Sequence, residues 1–164
     1  MRAFILILAA LTASAADSSI HESRFIFEPQ SLHAHGSSLV QLPNGELFAV
    51  WYFGSGERKA DDVKLEAARL AVGAEKWSER YTIADTPGFP DCNPILFVDS
   101  KQRLLLMWPI IIDNNWQSAL LQLRISTNGA LTDPPQWSTS DPMLLQPRNL
   151  SEALIPVIEK LLLT

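Results

Sequence analysis

Two adjacent acids and a nearby arginine stand in one short polar segment of the sequence. Asp61 and Asp62 lie directly before Val63, where a strand is predicted to begin, and Arg58 precedes them. A pair of neighbouring carboxylic acids can supply a proton donor to a substrate. The alternative is a solvated turn, in which Arg58 pairs with Glu57 or Asp61 at the surface and contributes little energy.

A pair of histidines is the second feature that suggests chemistry. His33 and His35 are two residues apart, so an extended segment places both on one face, with a spacing that suits a transition metal. The sequence offers no third ligand at a telling spacing, and we therefore assign no metal. Two roles stay open for His35, a contact to a ligand or an ordinary hydrogen-bonded loop histidine.

Residues 1–15 have the pattern of a secretory signal peptide. Arg2 supplies the positive start, residues 3–11 an apolar run and residues 13–15 a small-residue cleavage site. The apolar run is far shorter than the roughly 20 residues that a membrane span needs. The sequence therefore predicts export, to a periplasm or to the outside of the cell.

Charge and cysteine content narrow the function further. Without Arg2, 12 of the 13 basic residues remain against 18 acidic ones, a net charge of −6 that disfavours nucleic acid as a partner. Cys92 is the single cysteine, so no internal disulfide can form and the fold must depend on its core. Since no histidine lies near it in sequence, we interpret Cys92 as a buried filler rather than a nucleophile.

The elements that must position these residues occur twice. Residues 38–51 match residues 95–108 without gaps at an offset of 57, and each copy reads as strand, turn and strand. A third predicted strand follows in each copy, and residues 65–70 match residues 120–125 at an offset of 55. Each copy then continues through Trp-Ser to a short fourth strand. Four strands per unit of this length predict the blade of a β-propeller.

The predicted fold is therefore an all-β propeller of which about two blades are present. The blades cover about residues 33–90 and 91–145 within a domain at 16–148, and an amphipathic helix follows at 149–164. The alternative is a β-sandwich whose hairpins resemble each other by chance. Because a propeller closes with about four to eight blades, we expect a piece of a longer protein or a truncated reading frame that tends to associate.

Three stretches make the sequence resemble the BNR-repeat sialidase-like family of exo-α-sialidases, or neuraminidases. They are residues 35–51, 54–63 and 91–97, and the resemblance covers about residues 30–145. The Asp-box repeat of the family is present only in degraded form, as at residues 126–129. The resemblance implies a propeller of about six blades that releases terminal sialic acid from glycans. It also implies an arginine cluster on the sugar carboxylate, an aspartic acid/base and a tyrosine nucleophile activated by a glutamate.

The family pattern assigns roles to part of this machinery. It makes Arg58 a contact to the anionic sugar and Asp61 or Asp62 the acid/base, without separating the two acids. His35 stands where the family has the first arginine of an Arg-Ile-Pro motif, so the carboxylate is bound differently or the ligand is not sialic acid. The nucleophile and its glutamate belong to later blades, and Tyr52 is not given that role.

Further sugar contacts are predicted at the start of the second blade. Asp91 and Asn93 occupy positions equivalent to residues 35–37 and are predicted to accept sugar hydroxyls; the alternative is a turn in which both bond the local backbone. Trp116 lies outside the repeat, in a polar loop, and is predicted to stack on a sugar. The other four tryptophans are predicted to be blade core: Trp51, Trp77, Trp108 and Trp137.

The sequence thus predicts an exported, sialidase-like glycoside hydrolase that acts on terminal sialic acid or a related acidic sugar. Its expected partners are a glycan and the missing downstream blades, without which this stretch is expected to be inactive. Neither cofactor nor metal is assigned. Two alternatives stay open: a carbohydrate-binding propeller without hydrolytic activity, and a fragment without function.

Overall fold

The structure is a computed structural model, and it describes residues 21, 23–128, 134–137, 139–144 and 149–162. The predicted signal peptide lies outside these residues, so export stays a prediction. The described residues form two four-stranded antiparallel sheets and one short helix.

Both sheets follow the order of the chain, with each strand paired to the next. Sheet 1 consists of β1 (His33–Gln41), β2 (Leu47–Gly54), β3 (Lys64–Leu70) and β4 (Tyr81–Ala84). Sheet 2 consists of β5 (Ile95–Val98), β6 (Leu104–Ile111), β7 (Ala119–Ser126) and β8 (Thr139–Pro142). Helix α1 (Leu150–Leu162) lies within the segment predicted to be helical, and Pro156 falls inside it.

The strand register agrees with the 57-residue hairpin repeat. Ser38 pairs with Val50 in sheet 1, and Ile95 pairs with Met107 in sheet 2, so both partners are displaced by 57. The first hairpin turns at Gly45, whose φ of 88° is in the left-handed region that glycine tolerates. The two hairpins are therefore structural equivalents, as the sequence predicted.

The predicted match of the third strands is wrong by one residue. Phe48 pairs with Arg69, whereas its equivalent Leu105 pairs with Ile125, so the offset is 56 rather than 55. Because successive side chains of a strand point to opposite faces, this slip exchanges the faces of the whole strand. Arg69 therefore corresponds to Ile125 and not to Arg124.

The main core lies between the two sheets, and we call the faces that meet there the inner faces. Strands β1 and β5 are adjacent, and the Leu96 backbone N–H donates to Oγ of Ser38 at 2.9 Å. The inner faces contribute fully buried side chains from both sheets: Phe48, Val50, Tyr52, Leu65, Leu104, Leu106 and Trp108. The two sheets therefore pack as one body.

The four tryptophans predicted to be core all pack in hydrophobic clusters, but in two different ones. Trp108 belongs to the core between the sheets, whereas Trp51 belongs to a second cluster on the opposite, outer face of sheet 1. Phe27 covers that second cluster, with its ring centroid 5.3 Å from that of Trp51. Trp137 packs against the first cluster and Trp77 against the second.

Candidate functional site

Four loops meet at one end of the two sheets, where β1 and β5 begin and β2 and β6 end. Asn114 connects two of these loops. Its Nδ2 donates to the backbone carbonyl of Arg58 at 3.1 Å and to Oδ1 of Asp61 at 3.2 Å. We call this the upper end, formed by residues 33–37, 54–63, 91–94 and 112–118. It brings most of the predicted site residues to one surface.

Arg58 and Trp116 lie next to each other at the upper end. The guanidinium carbon lies 5.5 Å from the centroid of the Trp116 ring, and Nη1 lies 3.2 Å from Oε2 of Glu57. The side chain of Arg58 is 30 % exposed and Trp116 is 41 % exposed. A planar cation beside an open aromatic ring can bind a carboxylate and stack on a sugar face.

Asp61 and Asp62 are both exposed, but their surroundings differ. The Ser55 backbone N–H donates to both carboxylate oxygens of Asp62, at 3.2 and 3.1 Å, and the Ser55 hydroxyl donates to Oδ1 at 2.7 Å. Asp62 therefore closes its own loop. Within the described residues, the carboxylate of Asp61 is hydrogen-bonded only through Oδ1, by Asn114. Asp61 is thus the acid whose second oxygen is available to a ligand.

Tyr52, which has no predicted role, joins the two histidines to this loop. The hydroxyl of Tyr52 lies 2.7 Å from Nδ1 of His35, and the ring of His33 stacks on that of His35. Tyr52 is buried, and burial, followed by the charge of Glu57, raises its pKa to about 12. The hydroxyl is therefore harder to ionise than that of an exposed tyrosine, and its hydrogen bond holds the ring of His35 in place.

Gly36 allows β1 to approach this tyrosine. Its φ is +60°, and a Cβ built on it would lie 2.7 Å from Cε1 of Tyr52 and 3.0 Å from Oδ1 of Asn93. Asn93 is itself exposed and has a φ of 40°, and its side chain lies beside Gly36 at the upper end. The predicted contact of Asn93 with a sugar stays a prediction.

Replacing Gly36 with alanine is expected to lower the free energy of unfolding by about 2–4 kcal/mol, because the new methyl group collides with Tyr52 and the left-handed φ is strained. Urea unfolding measures this loss. Gly73→Ala is the matched control, since Gly73 has a φ of +75° and open space around its Cβ direction. Equal losses in the two variants would show that the collision costs nothing.

Asp91 is not at the surface. It is fully buried, Nε1 of Trp108 donates to its Oδ1 at 2.6 Å, and the backbone N–H of Thr86 donates to Oδ2 at 2.7 Å. The predicted contact to a sugar hydroxyl has no support in this geometry. The carboxylate of Asp91 instead links the loop after β4 to Trp108 in the core of sheet 2. This arrangement is close to the alternative prediction, a turn in which Asp91 bonds the local backbone.

Cys92 is buried as well, in agreement with its interpretation as a filler. Its side chain belongs to the core between the sheets. Burial raises the pKa of the thiol to about 12, so the thiolate is scarce at neutral pH.

Two residues of the upper end were not predicted, Tyr52 and Asn114, whereas the ion pair of Arg58 with Glu57 is the one named in the alternative of a solvated turn. The repeat carries a signal for the position of Asn114. The loop at residues 112–118 corresponds to the loop at residues 55–61, at the same 57-residue offset that relates the hairpins. That displacement places both loops at the same end of their sheets. The contact between Tyr52 and His35 joins paired residues of β1 and β2, but the register shift between His35 and Ser38 that sets them opposite each other has no signal in the sequence.

The described residues contain no cluster of three or more histidine, cysteine or acidic side chains that is arranged to hold a metal ion. In the same part of the chain, no helix has both the length and the apolar character needed to cross a membrane.

No protein-family model matches the sequence, and no curated protein matches it either. Solved structures do resemble it. A Hadza microbial sialidase matches with a TM-score of 0.53 at 16% identity, over 66% of this chain and 25% of its own. An endo-arabinase from Bacteroides thetaiotaomicron matches with a TM-score of 0.50 at 14% identity, over 73% of this chain and 45% of its own.

A family 117 glycoside hydrolase from the marine bacterium Zobellia galactanivorans also matches, with a TM-score of 0.49 at 10% identity, over 71% of this chain and 41% of its own. The chain thus spans less than half the length of the solved structures it resembles. At this level of identity the likeness concerns the fold alone. The two antiparallel sheets of this chain have a glycosidase-like fold of the propeller type.

Proposed function

We propose that this chain is part of a propeller-type glycoside hydrolase that binds its glycan at the upper end of the two sheets. The observation that carries the proposal is the grouping of Arg58, Trp116 and Asp61 on one exposed surface. A cation, an aromatic ring and a carboxylate with a free oxygen are the groups that bind, orient and protonate a glycoside. The fold supports the proposal, because a sialidase and an endo-arabinase share it.

The substrate we propose is a terminal sialic acid or a related acidic sugar. Arg58 binds its carboxylate through the exposed edge of the guanidinium, and Trp116 stacks on the ring. Asp61 acts as the acid/base, while Asp62 holds the loop that carries both. His35 and Asn93 accept or donate hydrogen bonds at the side of the site nearest β1. Export through the segment at residues 1–15 belongs to the same proposal, since sialylated glycans are displayed outside cells.

A second candidate function is carbohydrate binding without hydrolysis. The observation in its favour is Tyr52, the one tyrosine at the upper end among the described residues, which is buried and hydrogen-bonded to His35 at 2.7 Å. A site of this composition binds a sugar but lacks a nucleophile of its own. Hydrolysis of a fluorogenic sialoside by the longer protein that carries the remaining blades separates the two functions, because a binding protein retains the sugar without turning it over.

Arg58→Ala is expected to weaken binding of sialic acid by about 10- to 100-fold, because a hydrogen-bonded charge pair is lost. Isothermal titration with sialic acid, and with a neutral sugar for comparison, measures the effect. Arg103→Ala is the matched control, since Arg103 pairs with Asp99 at 2.7 Å in the turn at the opposite end of sheet 2. Binding that survives Arg58→Ala and is lost in Arg103→Ala would place the site elsewhere.

A further inference from the structure

The loop at residues 112–118 is closed by its own hydrogen bonds. The Asp113 backbone N–H donates to Oγ of Ser118 at 2.9 Å, and Nδ2 of Asn115 donates to the Asp113 backbone carbonyl at 2.8 Å. The Ser118 backbone N–H donates to Oδ1 of Asn115 at 3.2 Å. These bonds hold the backbone on both sides of Asn114, so its own loop determines where that residue lies.

Asn114 has a left-handed backbone conformation, and its side chain reaches the loop of sheet 1 at residues 54–63. Its φ is 48°, in a region that asparagine tolerates better than most residues. The hydrogen bonds of Nδ2 to the Arg58 carbonyl and to Oδ1 of Asp61 join residues 56 and 53 positions apart in the sequence. Both partners are acceptors, which identifies the group that faces them as the amide NH₂ rather than the amide oxygen.

The hydrogen bond from Asn114 makes the two carboxyl oxygens of Asp61 unequal. When a carboxyl group is protonated, its carbonyl oxygen is a better acceptor than its hydroxyl oxygen. The N–H donor at Oδ1 therefore favours the form of Asp61 that carries its proton on Oδ2. Within the described residues Oδ2 has no hydrogen-bond partner, so the proton lies on the oxygen that is open to a ligand.

We propose that Asn114 is the positioning residue of Asp61, because its amide holds Oδ1 and directs the proton on Oδ2 toward the glycosidic oxygen. The inference rests on the function proposed for the upper end. In that hydrolysis the glycosidic oxygen keeps the bonding electron pair and takes the proton as its bond to the anomeric carbon breaks. Water then gives a hydroxyl group to that carbon and a proton back to Asp61.

The same hydrogen bond assists the proton transfer itself. As the proton leaves Oδ2, negative charge spreads over both oxygens of Asp61, and the bond from Asn114 becomes charge-assisted and stronger. An interaction that is stronger in the transition state than in the ground state accelerates the chemical step. The amide of Asn114 therefore acts on the rate through Asp61 without contacting the sugar.

The residue type at position 114 suits this role. The equivalent position of the first unit, 57 residues earlier, holds Glu57. A carboxylate at position 114 would donate no hydrogen bond to Asp61 and would repel its negative charge. Asn114 is neutral and supplies donors, so it stabilises the carboxylate that an acid in its place would destabilise.

Asn114→Gly in the longer protein that carries the remaining blades tests the proposal. Glycine tolerates the left-handed φ and removes only the side chain, so the loop at residues 112–118 keeps its shape. We expect kcat for a fluorogenic sialoside to fall by about 10- to 100-fold with little change in KM. In a protein that already carries Asp61→Asn, we expect Asn114→Gly to cost less than about twofold, because the two residues act as one unit. Asn114→Asp also tolerates this φ but removes the donors, and it is expected to lose at least as much activity.

Hydrogen exchange provides a readout that does not require activity. We expect the backbone amides of residues 54–63 to exchange about tenfold faster in Asn114→Gly, because two hydrogen bonds that hold this loop are lost. Asn44→Gly is the matched control, since Asn44 lies in the turn between β1 and β2 at the opposite end of sheet 1. Its Oδ1 accepts from the Glu46 backbone N–H at 3.2 Å, and its loss is expected to change neither kcat nor the exchange of residues 54–63.

An equal loss of kcat with and without Asp61→Asn overturns the proposal, since Asn114 would then not act through Asp61. Unchanged kcat in Asn114→Gly, or unchanged exchange of residues 54–63, overturns it as well. A longer protein that hydrolyses no sialoside contradicts the proposed function instead, and the exchange of residues 54–63 still decides whether Asn114 holds the loop of Asp61.

Discussion

Asp91→Ala is expected to lower the free energy of unfolding by about 2–4 kcal/mol, because it leaves buried hydrogen-bond donors without an acceptor. The indole N–H of Trp108 and the backbone N–H of Thr86 both point at the carboxylate, at 2.6 and 2.7 Å. A loss of this size is a large part of the roughly 5–15 kcal/mol that stabilises a small domain. Urea unfolding followed by tryptophan fluorescence measures it.

Asp91→Asn provides the graded comparison for this effect. Asparagine has the same shape and keeps one accepting oxygen, so the indole N–H of Trp108 stays hydrogen-bonded. The amide NH₂ group of the asparagine then faces the backbone N–H of Thr86, which is also a donor. We expect a loss smaller than that of Asp91→Ala. If Asp91 were instead a surface contact to a sugar, both variants would unfold like the original chain and only ligand binding would change.

Asp91→Asn also tests how the contribution of Asp91 to stability depends on pH. Burial raises the pKa of Asp91 above 3.8, and the hydrogen bonds from Thr86 and Trp108, which lower it, do not compensate. The folded chain then holds this proton at pH values where the unfolded chain has lost it, so the stability due to Asp91 falls as the pH rises from about 4 through the raised pKa. The difference in unfolding free energy between the original chain and Asp91→Asn is expected to shrink over that range. A difference that grows with pH would mean that the carboxylate is stabilised as the anion.

In the longer protein that carries the remaining blades, Asp61→Asn is expected to reduce kcat for a fluorogenic sialoside by about 100- to 10,000-fold, the usual cost of losing a general acid/base. The affinity for sialic acid is expected to stay the same or rise slightly, because the change removes a negative charge near an anionic sugar. This split between kcat and binding separates a group that transfers a proton from a group that only holds the ligand. Steady-state kinetics together with titration measure both quantities.

Asp62→Asn is the matched control, since it changes the neighbouring acid in the same way. Its carboxylate accepts from the backbone and hydroxyl of Ser55, so we expect a looser loop, a stability loss of about 1 kcal/mol and a much smaller effect on kcat. A larger loss of kcat in Asp62→Asn than in Asp61→Asn would reverse the roles proposed for the two acids.

Much of the architecture could be predicted from periodicity. The 57-residue match of residues 38–51 with residues 95–108 is reproduced in the strand register, because turn residues and alternating side chains constrain a hairpin locally. The third strand has no such local constraint. Its match was wrong by one residue, since only the pairing of Phe48 with Arg69 and of Leu105 with Ile125 sets its register.

The candidate site was predictable in part for the same reason. Arg58, Asp61 and Trp116 lie in loops whose place in the repeat puts them at one end of their sheets, and the structure brings them together there. Asp91 also lies at a repeat-equivalent position, yet its side chain is buried. A repeat aligns backbone positions, and it does not determine whether a side chain points into solvent or into the core.

The sequence by itself determined two repeating four-strand units, their hairpin register and the loops that carry polar residues, because these depend on local turns and alternation. Only the tertiary structure decided which groups in those loops are available. Asp91 meets Trp108 through a bridge to β6, and His35 meets Tyr52 across β1 and β2 because the register shifts between His35 and Ser38. Such contacts leave no local pattern, since they depend on distances in space and not along the chain.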